Sequence, residues 1–141
     1  MNEITFGSTG TSASKRLHIG LWIAQVVLAI VFIFAGVGKL MVPVAELAQD
    51  SGPLILPVAL IRLIGATEVI AAIGLILPSA TRTRPMLTPM AAAGLVFVMV
   101  LAAGFHLFRG EIQVVPFNVV LGGLAALVAW GRYRRVPVQP R

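Results

Sequence analysis

The sequence predicts an all-α membrane protein: a bundle of four transmembrane helices with both termini cytoplasmic. Three observations predict it. Hydrophobic residues make up 58% of the chain and charged residues 11%, where soluble domains carry about 25% charged; the mean hydropathy is +0.97. Four apolar runs approach or exceed the ~17 residues needed to cross a bilayer as a helix. Lys and Arg gather in alternate connecting segments, which sets the direction of insertion.

The first run, Ile19 to Leu40, "IGLWIAQVVLAIVFIFAGVGKL", is too long for a signal-peptide core and lacks an A-x-A-like site after it, so it is expected to stay as a span. The second, about 57–77, lies between Pro57 and Pro78. The third, 87–108, starts on Thr88 and Pro89, residues suited to a helix start. The fourth, about 115–130, is the shortest. Lipid offers no partner to a backbone amide, and no segment alternates as a barrel strand would, so these runs are expected to be helices. The polar segment 1–18 and the basic segment 132–141 are expected to be disordered cytoplasmic tails flanking a single transmembrane domain, 19–131. Between the first two spans, "PVAELAQDSGP" suits a short helix starting near Pro43 and ending before Gly52, and "PLILP" is apolar enough to lie at the membrane surface.

Net charge is +6, with an isoelectric point near 11.5. The cations sit beside the spans: Lys15 and Arg16, then Arg82 and Arg84, then Arg132, Arg134, Arg135 and Arg141. In a four-span chain all of these fall on one side. Anionic lipid headgroups are therefore the expected partners of this charge, and no nucleic acid is expected.

Four polar residues stand out within or at the edge of the spans, one taken from each: Lys39, Glu68, His106 and Asn118. With both termini cytoplasmic, all four lie in the outer half. Glu68 comes six residues after Arg62, about 9 Å deeper. A carboxylate at that depth costs a few kcal/mol unless it is partnered or wetted. Its helical neighbours Gly65, Ala71 and Ala72 are small, as are Ala35 and Gly36 beside Lys39 and Ala102 and Ala103 beside His106. Small residues mark faces where helices approach closely. The four residues are thus expected to form one inward-facing cluster, with Glu68 paired to Lys39 or to a protonated His106. Arg62 and Glu68 lie about 240° apart around one helix, so Arg62 and Arg109 are expected to rim the cluster or reach the outer headgroups.

The residue inventory excludes much. With no cysteine there is no disulfide, thiolate metal site or iron–sulfur cluster. The two histidines, His18 and His106, belong to opposite sides, which excludes bis-histidine haem and a multi-histidine zinc site. No metal site, phosphate loop, nucleophile elbow or dinucleotide fingerprint is present. Catalytic residues are unknown, and whether the chain is itself an enzyme is left open.

The blocks "FIFAGVGKL" (Phe32–Leu40), "RLIGATEVIAAIGLILP" (Arg62–Pro78) and "LTPMAAAGLVFVMVLAAGFHLFRGE" (Leu87–Glu111) resemble the DoxX family, particularly its DoxX-like bacterial members, from about Leu21 to Arg132. The resemblance implies a small four-helix protein of the bacterial cytoplasmic (inner) membrane, with Lys39, Glu68 and His106 on family positions. It also implies a link to quinone-dependent membrane oxidation or to oxidative-stress responses. The chain carries no cofactor of its own, and quinone is the one expected. Three functions follow in order. The first is an accessory subunit binding a lipid-soluble ligand at the polar cluster, alongside another membrane protein or a second copy of itself. The second is a structural or chaperone-like protein whose cluster only holds the bundle or a partner. The third is a small proton-coupled transporter.

Overall fold

The computed structural model describes residues 9–48 and 56–141. Helix α1 runs Thr9–Met41, α2 is a short helix Val44–Ala48, α3 runs Val58–Thr81 and α4 Leu87–Phe108. A 3₁₀ turn at Ile112–Val114 leads into α5, Val115–Trp130, which widens into a π-helical turn at Gly131–Arg135. No strand occurs among the described residues. Among the described residues four segments are long and apolar enough to span a membrane.

The four long helices form a closed ring in which α1 packs on α3, α3 on α4, α4 on α5 and α5 on α1. Each neighbouring pair is antiparallel. Along α1 and α3, Lys39 meets Glu68 while Gln25 meets Leu75. Between α3 and α4, Ser79 hydrogen-bonds Thr88 across 2.9 Å. The start of α1 meets the end of α5 where Arg132 reaches His18. One end of the bundle therefore carries His18, Ser79, Thr88 and Arg132. The other, here the distal end, carries Lys39, Glu68, His106 and Glu111.

The helices are apolar all round, because their outer faces meet lipid rather than water. Ile23, Phe97 and Val119 are among the exposed residues. Inside, Leu28, Leu75, Leu95 and Val128 are fully buried with Phe32, and Ala72, Ala92 and Ala125 let the helices close on one another. Lipid tails are as apolar as leucine, so hydrophobic burial gives little net drive to such packing; close contact and hydrogen bonds must supply it. The tightest contact is between α1 and α3. A Cβ on Gly36 would sit 2.6 Å from the Gly65 carbonyl oxygen, and one on Gly65 would sit 2.7 Å from that of Gly36. Only glycine fits at either position.

Several boundaries differ from the sequence expectation. The first helix begins at Thr9 and not near residue 19: Ser12 to Arg16 extend it without a Pro or Gly, and propagating an existing helix costs little. Residues 1–8 lie outside the described residues, as do Gly52 and most of "PLILP". Pro78 does not end the second span; it sits inside the last turns of α3, which continues to Thr81 and stops where Arg82 turns left-handed at φ 56°. A proline this near the C-terminus removes one backbone bond, which is cheaper in lipid than ending the helix there. The fourth span is longer than expected, since the helical path runs Ile112–Arg135. The C-terminal segment is not a free tail, because Arg132 is 2% exposed and the Arg141 amide donates to the Arg82 carbonyl at 3.3 Å.

The close contact generates a test with an internal control. Gly36→Ala forces α1 and α3 apart and should cost about 1–3 kcal/mol of bundle stability. Gly94→Ala, where a Cβ would meet nothing within 4 Å, should leave the thermal midpoint in detergent unchanged or raised. Equal midpoints for both variants would refute the packing argument.

Candidate functional site

Lys39 lies in the last turn of α1, and the glycine contact one turn earlier brings its side chain against α3. Its ammonium donates to both oxygens of Glu68, at 3.0 Å to Oε1 and 2.7 Å to Oε2. The Glu68 side chain is 3% exposed and that of Lys39 36%. The carboxylate is thus enclosed and doubly bonded, while the ammonium keeps one N–H free. Of the two partners the sequence left open for Glu68, the structure selects Lys39.

Arg62 does something the sequence reading missed. Its guanidinium donates to the carbonyls of Lys39 (Nη1, 3.2 Å) and Val42 (Nη2, 2.7 Å). It caps carbonyls at the end of α1 that have no intrahelical partner, where a cation also suits the helix dipole. This holds the Lys39 turn from a second side.

His106, in the last turn of α4, bonds not to Glu68 but to Glu111, with Nδ1 2.5 Å from Oε2. Arg109 Nε donates to the other oxygen at 2.8 Å, and the guanidinium stacks 5.4 Å over Phe105. Glu111 folds back onto the helix because Gly110 adopts φ 75°, a left-handed conformation that suits glycine. The hydrogen bond from Arg109, then that from His106, holds the Glu111 carboxyl below its ordinary value of 4.5.

Between α3 and α4 at the distal end lies a cavity of about 480 Å³. Its walls are apolar, formed by residues such as Leu60, Ile64, Leu101 and Ala102, and its polar groups are Lys39 and His106. Glu68 does not line it. Asn118 is buried at 6% exposure, but its amide nitrogen has no hydrogen-bond partner among the described residues, and it does not line the cavity. The expected four-residue cluster is thus an ion pair, Lys39–Glu68, and a separate dyad, His106–Glu111, each of which puts one member, Lys39 and His106, on the cavity wall, with Asn118 apart. Among the described residues no three of His, Cys, Asp and Glu gather to hold a metal ion.

A second polar network, at the opposite end, was not anticipated. Gln25 donates to the Leu75 carbonyl (2.5 Å) and accepts from Arg132 Nε (2.6 Å). Arg132 Nη1 lies 3.1 Å from His18 Nδ1, and Trp22 Nε1 lies 3.1 Å from His18 Nε2. A neutral imidazole has one lone pair, so its tautomer decides which of the two donors is bonded. The signal was present: His18, Trp22 and Gln25 recur at helical spacing on one face, and Gln25 is an amide inside an apolar run.

Two outcomes follow. Glu68→Gln strands the Lys39 ammonium and should cost about 2 kcal/mol, less than a fully buried pair because Lys39 is only partly buried; Lys39→Met combined with Glu68→Leu should recover most of the loss in thermal unfolding. Because Glu111 is held below its ordinary value, its stabilising contribution is present above pH 4.5 and disappears as pH falls through the lower folded value. Wild type should therefore lose more thermal stability than Glu111→Gln on going from neutral pH to below 4.5, and parallel pH profiles would contradict the assignment.

No curated protein and no solved structure matches the chain. A family model does, that of the DoxX-like family, across residues 23–128. This match takes in the second and third spans, most of the first and fourth, and every distal residue described above. The chain is a multi-pass membrane protein of the DoxX-like family.

Proposed function

We propose that this protein is an accessory or subunit protein of the bacterial inner membrane that takes up a lipid-soluble ligand, of the quinone kind, in its distal cavity. The observation that carries this reading is the cavity itself. Its volume, about 480 Å³, lies within the ~300–1,000 Å³ of small-molecule sites, and it pairs apolar walls with a few polar groups in the same way. Apolar walls accept a ring and tail from the lipid phase, and Lys39 and His106 are there to orient a polar head. Glu68 has no part in contacting the ligand in this reading; it fixes Lys39. The two termini face the cytoplasm, following the distribution of Lys and Arg, so the cavity opens in the outer half of the membrane. In this reading a partner protein supplies electrons to such a ligand, and this chain acts in membrane redox or stress responses as a holder of the ligand.

The second reading, a structural or assembly role, has one observation in its favour. The Lys39–Glu68 pair closes on itself with both carboxylate oxygens used, as a pure register lock would.

Filling the cavity separates the two. Ala102→Trp places an indole in the ligand's space, and binding of decylubiquinone to the protein in nanodiscs should weaken about tenfold or more while the thermal midpoint is held. Absence of saturable binding by wild type, or equal binding by the variant, would favour the structural reading.

A further inference from the structure

Two polar side chains line the distal cavity, Lys39 and His106, and the groups behind them limit what each can offer. Lys39 has three N–H donors. Two go to Oε1 and Oε2 of Glu68, which leaves one. His106 presents Nδ1 to Glu111 at 2.5 Å. A carboxylate only accepts, and its other oxygen is already bonded to Arg109, so Nδ1 must carry the ring proton. In the neutral ring Nε2 is then a bare lone pair, and no described residue bonds to it. The remaining walls among the described residues, Ile64, Leu101 and Ala102 included, have no polar side chains.

We infer that the cavity selects a lipid-soluble ligand whose head bears a hydroxyl, a long-chain phenol or quinol, over the corresponding carbonyl or ether. This rests on the ligand-binding reading above and narrows it. A hydroxyl is both donor and acceptor, so it answers Nε2 of His106 and the spare N–H of Lys39. A carbonyl or ether oxygen only accepts; it satisfies Lys39 and leaves the imidazole lone pair without a partner in a site whose other walls are apolar. An unmade bond of this kind reduces affinity more than a made one raises it. Glu111 is a positioning residue here, because its carboxylate chooses the tautomer and thereby the kind of head group accepted. Recognition of the same hydroxyl by a cavity without such a dyad would show no dependence on residue 111.

The test uses the full chain in nanodiscs, with empty nanodiscs as the partition control. Three probes of matched length are compared: decylphenol, its methyl ether and decylbenzoquinone. Decylphenol should bind with a Kd about tenfold lower than either of the others. His106→Phe should bring the three together without abolishing binding. Glu111→Gln, whose amide can itself donate to Nδ1 and so release the tautomer, should shrink the phenol preference even if His106→Phe fails to fold. Equal binding of the three probes to wild type, or tighter binding of the quinone, overturns the selection but leaves the cavity a ligand site. An unchanged preference in Glu111→Gln overturns the tautomer argument. Saturable binding of none of the three overturns both the selection and the ligand-binding reading.

Discussion

The backbone-to-backbone approach of Gly36 and Gly65 conditions most of what the distal end contains. It draws α1 onto α3 closely enough that Lys39, one turn beyond Gly36, reaches Glu68, one turn beyond Gly65, with both carboxylate oxygens. Arg62 then caps the end of α1 from the start of α3. An ion pair in lipid is stable only when its geometry offsets the loss of water, and here the geometry is set by two missing side chains. The cavity depends on the same contact. With α1 committed to α3, the distal ends of α3 and α4 frame a space that Lys39 enters from the side.

How far the sequence reveals this site depends on where each partner lies. The Lys39–Glu68 pair is legible because both residues stand in apolar runs beside small residues, where a charge has few alternatives. The His106–Glu111 dyad is not, because Glu111 belongs to a connecting segment and comes back only through the left-handed turn at Gly110. Glycine in a loop has many uses, and nothing in the one-dimensional pattern singles out this one. Arg132 is misread for a related reason. Arginine after a final span is ordinarily an orientation signal, yet the π-helical turn at Gly131–Arg135 leaves Arg132 in the interior beside Gln25. Pro78 likewise suggests a helix end, and α3 passes through it.

The two ends of the bundle use polar groups differently. At the distal end, charges pair with charges and sit next to an open space. At the other end, neutral groups and a single buried guanidinium form a closed chain from Leu75 through Gln25 and Arg132 to His18, with the Ser79–Thr88 contact nearby in sequence order on α3 and α4. Membrane helices gain from interhelical hydrogen bonds because packing alone gives modest stability. Such a chain ties three helices together at that end.

The wide turn after α5 has an optical consequence. The chain has two tryptophans, and each lies under an arginine of that turn: Arg132 is 5.3 Å from the Trp22 ring and Arg135 is 4.9 Å from the Trp130 ring. Indole emission responds to a nearby cation, so the intrinsic fluorescence of this protein reports on the five residues of the turn and their docking against α1. The distal cavity, at the opposite end and without an indole among its described walls, is dark at those wavelengths. Light from this molecule thus reads one end of the bundle, and an added chromophore is needed to read the other.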